Sequence, residues 1–101
     1  MAKVKATIQV LLDGIYLESV GDDSTNSYVG MAFQYLRKSK DLTQPQVCAV
    51  IDMGKSNFYK LEKGSANITV THLDLFAKAL GITPCDILIL AETIKKHSKG
   101  E

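Results

Sequence analysis

Lys55, Ser56, Asn57, Tyr59 and Lys60 place five hydrogen-bonding side chains within six consecutive positions, directly after Gly54. The two lysines can donate to guanine O6 and N7, and the amide of Asn57 can pair with adenine. Side chains of this kind read base edges from the N-terminal end of a solvent-facing helix. A plainer reading is that Lys60 and Lys63 only cover a solvated surface. Gln44 suits a phosphate oxygen, because its amide and the start of a helix both favour an anion. Its plainer role is that of a helix-start residue. Lys40, Lys63, Ser65 and Asn67 are weaker phosphate candidates.

Other chemistry finds no support. His72 and His97 lack partners at metal-ligand spacing, and neither a Gly-rich phosphate loop, a Ser-His-Asp set nor a CxxC pair occurs. No catalytic site, metal or cofactor is expected. Cys48 and Cys85 each sit within a periodic apolar pattern and are expected as reduced core residues. The apolar stretches are too short to span a membrane. Residues 1–7 do not form a signal peptide, because polar residues interrupt them. A cytoplasmic location is expected.

The net charge of +1 argues against indiscriminate nucleic-acid coating. Its distribution is more telling. Between Arg37 and Lys63, six basic residues face three acidic ones, a local excess of +3. The first 27 residues lean acidic, with Asp13, Glu18, Asp22 and Asp23 against Lys3 and Lys5. A basic face on a near-neutral protein suits one specific polyanion, although a solvated helix surface has the same composition.

The elements that must position these residues follow from periodicity. Residues 3–12 alternate as a half-buried strand does, and Asp13-Gly14 is a hairpin turn signal. A two-residue turn pairs Leu12 with Ile15, Val10 with Leu17 and Ile8 with Ser19, leaving Leu11 opposite Tyr16 and Gln9 opposite Glu18. A helix is the rival, since Val4, Ile8, Leu11, Leu12 and Ile15 also form a helical stripe. The hairpin is favoured, and would need to dock on a body or pair with a second copy.

After a polar linker over residues 21–26, the period changes to that of helices. Val29, Ala32, Phe33 and Leu36 predict a first helix over about 28–39, capped by Ser27 or Asn26. Thr43 and Gln46 form a capping box for a helix over 44–51 with Val47, Cys48 and Ile51 inward. Asp52-Met53-Gly54 breaks it. A third helix over 55–63 turns Phe58 and Leu61 inward and stops at Gly64. Thr69 or Thr71 caps a fourth, with Leu73, Phe76, Ala77 and Leu80 as its core face. Thr83, Pro84 and Asp86 open a fifth, with Ile87, Leu88, Leu90, Ala91 and Ile94 as its apolar residues. The fold class is therefore mostly α. Residues 1–27 are read as an extension, 28–97 as the helical domain and 98–101 as a frayed tail.

Two short helices joined by a three-residue turn and followed by further helices resemble a helix-turn-helix domain. The series Leu36-Arg37, Leu42-Thr43-Gln44, Val47-Cys48, Ile51, Met53, Ser56, Phe58, Lys60 to Gly64, Leu73, Phe76 to Gly81 and Asp86-Ile87-Leu88 is similar to the Cro/lambda-repressor-like, or XRE, family. The resemblance covers residues 29–90 and implies a five-helix DNA-binding domain. It implies base contacts from Lys55, Ser56 and Lys60, a phosphate contact from Gln44, and a structural pair between Arg37 and Glu62. Asn57 more often lies near the backbone in this family. The chain departs from the pattern at Asp52, where Gly is usual, and at Gly54, where Ser or Thr caps the reading helix. Phe58 and Cys48 replace the commoner Ile and Ala. The first 27 residues have no counterpart in the minimal domain.

The function implied is transcriptional regulation, mainly repression, by a homodimer on a palindromic operator in double-stranded DNA. The hairpin and the last helix each hold more apolar residues than one small core needs, and one of them is the expected interface. Two alternatives stand beside it. One is an antitoxin-type protein that also binds a toxin or other protein through the extension. The other is an interaction module that has lost DNA binding.

Overall fold

Asp13 and Gly14 adopt positive φ values of 51° and 79°, the backbone that lets a two-residue turn follow the twist of its strands. In the computed structural model, which describes residues 7–100, this turn joins β1 (Ile8–Leu12) to β2 (Ile15–Ser19). The antiparallel register is Ile8 with Ser19, Gln9 with Glu18, Val10 with Leu17, Leu11 with Tyr16 and Leu12 with Ile15. The hairpin, not its helical rival, is what forms, with the expected pairing. The part of the expected strand over residues 3–6 lies outside the described residues, as does Glu101 of the expected tail. Val10, Leu12, Leu17 and Ser19 are buried, while Leu11 and Tyr16 are exposed.

Five helices follow: α1 (Thr25–Ser39), α2 (Gln44–Ile51), α3 (Lys55–Lys63), α4 (Val70–Leu80) and α5 (Pro84–Ser98). Helix α1 starts three residues earlier than its apolar stripe suggests. Its cap is Ser24, which accepts from the Ser27 amide, so neither Ser27 nor Asn26 has that role. Asn26 instead ties down the loop before α4. Its Nδ2 donates to the Ala66 carbonyl at 2.9 Å and its Oδ1 accepts from the Ile68 amide at 2.7 Å. The caps at Thr43, Thr69 and Thr83 are capping boxes. At Thr69 the returning group is the Nδ1 of His72.

A single stripe on α1 was the sequence expectation, but eight consecutive residues, Ser27 to Gln34, are buried. The reason is position: α5, β2 and α3 all pack on α1, so almost no face of its first half meets water. Phe33 of α1 stacks on Phe76 of α4 with centroids 4.2 Å apart, and Phe58 of α3 stacks on Phe76 at 6.0 Å. Burying such rings dominates the energetics of a core this small. The far end of α5 is tied back to the linker. The Tyr28 hydroxyl donates to Asp23 at 2.6 Å and lies 3.2 Å from the Ser98 hydroxyl, and Lys99 pairs with Asp23 at 2.8 Å.

One expectation about buried residues needs correction. Cys48 is buried, and burial pushes its thiol pKa up, but Cys85 is exposed. Cys85 precedes the fully buried Ile87 by two positions, about 200° around the helix, and so points away from the core. Leu88 is likewise exposed, and the packed face of α5 is Ile87, Ala91 and Ile94. Among the described residues no helix is long and apolar enough to cross a membrane.

Candidate nucleic-acid interface

The turn between α2 and α3 is short because each of its residues has a defined task. Asp52 adopts the left-handed conformation, φ 53° and ψ 53°, and its amide donates to the Cys48 carbonyl. A short polar side chain tolerates that conformation better than most. The Met53 amide donates to the same carbonyl at 3.1 Å. Gly54 then caps α3 with φ −68° and offers no side-chain hydrogen bond. A Cβ at Gly54 would meet nothing within 4 Å, so the start of α3 opens directly onto solvent.

Phe58 and Leu61 anchor α3 by burial, and the helical period then fixes the other faces. Lys55, Ser56, Asn57, Tyr59 and Lys60 are all exposed. The hairpin does not cover them, since it and the residue after it meet α3 at the other end, at Lys63. Asn57 and Asn67 line one recess of about 240 Å³ with Met53 and His72.

Beneath the exposed face of α3 lies a buried ionic network. Arg37 grips Glu62 with two prongs, Nε to Oε2 at 2.6 Å and NH2 to Oε1 at 3.0 Å. The guanidinium also donates to the Leu42 carbonyl at 3.0 Å, and Gln44 Nε2 donates to Glu62 Oε1 at 2.8 Å. Both carboxylate oxygens of Glu62 thus have partners, as a buried carboxylate requires. The effect is to lock α1, the start of α2 and the end of α3 together.

The structure divides the phosphate candidates. Gln44 is half-buried, with its amide on Glu62. Lys63 is paired with Glu18 and stands 5.4 Å from the centre of the Tyr59 ring. That hydrogen bond and charge hold the Glu18 carboxyl below the usual glutamate range. Lys40, Ser65 and Asn67 are exposed, and the Ser65 hydroxyl donates to the Lys60 carbonyl at 3.3 Å.

Sequence reasoning missed Gln34. It is buried, and its amide treats β2 as a neighbouring strand would. Oε1 accepts from the Glu18 amide at 3.1 Å, and Nε2 donates to the Glu18 carbonyl and, at 2.6 Å, to the Glu62 carbonyl. The one available signal is that Gln34 is the only amide side chain in the otherwise apolar run from Val29 to Leu36. Ser19 was assigned only a register position. Its hydroxyl donates to the Lys63 carbonyl at 2.9 Å.

With this geometry in hand, the chain can be set beside known proteins. A helix-turn-helix family model matches residues 33–87. A competence pilus inhibition repressor from Acinetobacter baylyi is 33% identical over 66 residues, covering 65% of this chain and 60% of that protein. The chain thus spans less than two thirds of that relative's length. The clp gene regulator ClgR from Corynebacterium glutamicum has a similar fold, with a TM-score of 0.72, 21% identity, and coverage of 76% of this chain and 82% of that one. The restriction-modification controller protein C.Esp1396I, solved as a tetramer in complex with its natural 35 base-pair operator, has a TM-score of 0.64 at 20% identity. That match covers 70% of this chain and 93% of the controller.

Proposed function

Starting from the fact that the chain belongs to the Cro/lambda-repressor-like, or XRE, family of helix-turn-helix regulators, we propose that it is a cytoplasmic, sequence-specific repressor. It acts as a homodimer on a palindromic operator. One observation carries this function: the first turn of α3 is uncapped, unobstructed and ringed by outward polar side chains. Lys55, Ser56 and Lys60 contact base edges, with Asn57 and Tyr59 beside them. Lys40, Ser65 and Asn67 approach phosphates. Gln44 and Lys63 contribute there through whatever hydrogen-bonding capacity their internal partners leave. Residues 28–97 carry the DNA contact, and the extension over 1–27 provides a second contact, with a like subunit or another protein. Repression agrees with the name of the Acinetobacter baylyi relative.

Two-fold symmetry doubles the contacts and requires a self-complementary patch. Two exposed apolar surfaces qualify: Leu88 and Ile89 on α5, and Leu11 and Tyr16 on the hairpin. Selection of bound duplexes from random DNA tests the whole scheme. Two inverted half-sites with centres roughly 34 Å apart are expected; a pool with no enriched sequence would sink it. Light scattering on Ile89→Glu and Leu11→Glu tells which surface pairs. The variant that becomes monomeric marks the interface, and a wild-type chain that is already monomeric at micromolar concentration removes the dimer.

A further inference from the structure

The last four carbonyls of a helix have no partner within it, and in α3 all four are taken. The Lys60 carbonyl accepts from the Ser65 amide at 3.0 Å and the Leu61 carbonyl from the Gly64 amide at 3.1 Å. These are local closures of the kind that end many helices. The other two are not local. The Glu62 carbonyl accepts from Gln34 Nε2 at 2.6 Å. The Lys63 carbonyl accepts from the Val20 amide at 2.9 Å and from the Ser19 hydroxyl at 2.9 Å. The Lys63 side chain adds an ion pair with Glu18. Each of these donors or partners is on β2, just after it, or on the α1 residue that hydrogen-bonds to it.

We infer that strand β2 and Gln34 form a clamp on the C-terminal end of α3, with Gln34 as the positioning residue that sets the angle at which α3 meets DNA. The clamp is built to close tolerances. A methyl group on Gly30 would run into the Leu61 carbonyl oxygen, and one on Gly64 would stand 3.0 Å from both the Ser19 and Ser27 hydroxyls. Gly64 also needs its positive φ of 76°. Backbone therefore meets backbone between α1 and α3 at Gly30, and between Val20 and Lys63, while the buried Gln34 amide and Ser19 hydroxyl bridge the rest, so a change at β2 is passed to α3. The strand and the first eight residues of α1 fall outside the stretch that the family model matches, residues 33–87. Gln34 falls just inside it. The clamp thus joins a strand outside that stretch to residues within it. It leaves the reading end of α3 untouched and fixes the opposite end.

This inference rests on α3 being the DNA-reading helix, so the test has one readout that depends on DNA and one that does not. For the full-length chain and its Gln34→Ala and Ser19→Ala variants, affinity is measured for the selected operator and for random DNA at one salt concentration. Amide exchange along α3 is followed in the same samples. Gln34→Ala should lower the operator-to-random affinity ratio about tenfold, the effect of one mis-set base contact. Random-DNA binding and its salt dependence should stay as in wild type, because phosphate attraction tolerates a tilted helix. Exchange should accelerate in the last turn of α3 and not in α4. Ser19→Ala keeps the Val20 donor and should give the same pattern in weaker form. It is also the variant to interpret if Gln34→Ala does not fold. The clamp is overturned if exchange in α3 stays unchanged, or if operator and random-DNA affinities fall in parallel. A wild-type chain that prefers no sequence would instead remove the DNA function of α3. Exchange in the two variants would then decide alone whether β2 and Gln34 hold the helix.

Discussion

The two ends of α3 are built on opposite rules. At its start, no side chain caps the helix, the cap residue has no side chain, and the polar groups face outward. At its end, every carbonyl is bonded, Glu62 is buried in a forked ion pair, and α1 and β2 crowd the backbone. One end leaves its first turn without a side-chain cap, and at the other every carbonyl of the last turn is taken. A recognition element needs both, because hydrogen bonds to a base edge discriminate only when the helix that presents them is held at a set angle.

Substitutions at the two ends should therefore separate stability from binding. The largest effect is expected at the closed end. Glu62→Ala leaves the Arg37 guanidinium, only 11% exposed, without its carboxylate. Breaking a buried pair on one side costs about 3–5 kcal/mol, which lowers the melting temperature on the order of 15 °C in a domain this size. DNA binding should weaken with it. A normal thermal unfolding curve would show that the closed end contributes little to stability.

At the open end the effects should reverse. Lys55→Ala and Lys60→Ala should each reduce operator affinity by about 1–3 kcal/mol, as expected for loss of a base contact. Unfolding should move by less than about 0.5 kcal/mol, as for exposed positions generally. Gel shifts alongside thermal melts check this. If either lysine variant melts early, the open end is not free of the fold.

A smaller effect tests the missing cap. Gly54→Ser supplies the side-chain acceptor that α3 lacks, at a backbone conformation any residue adopts and in open space. A gain of about a few tenths of a kcal/mol is expected, visible as a rise of about 1–3 °C in melting temperature. No gain would mean that solvent already satisfies the first amides as well as a hydroxyl does.

The smallest effect concerns the half-buried ion pair at the closed end. Lys63 holds the Glu18 pKa below its ordinary value. The stabilisation is then complete above the unfolded pKa and is lost as pH falls through the lower folded value. Unfolding of the wild type should be more acid-sensitive than that of Glu18→Gln between about pH 5 and pH 3. Added salt should narrow the gap. Matching acid profiles would mean that the clamp acts through its backbone carbonyls alone.

Much of this contrast can be read from the chain, and the limits are instructive. The Asp13-Gly14 turn carries its own register, and Thr43 and Thr83 mark two helix starts by side chains only three residues apart, whereas the sequence leaves Thr69 and Thr71 both open as the cap of α4. The outward row from Lys55 to Lys60 follows once Phe58 and Leu61 are taken as core. The cap of α1 was misplaced because Ser24 and Ser27 offer the same hydroxyl, and only packing decides which is buried. Cys85 was misread because an apolar pattern does not say where the packed face of a helix begins.

Within this sequence, elements, caps, hairpin pairing and the outward face of α3 are determined locally, because each depends on side chains within a few positions of one another. Which polar groups meet across the fold is decided only in three dimensions. Gln34 reaches Glu18 and Glu62 from 16 and 28 residues away, and Ser19 reaches Lys63 across 44. A buried amide must find partners somewhere, but periodicity does not say where. Only when the hairpin folds down on α1 does the end of α3 acquire the partners that hold it.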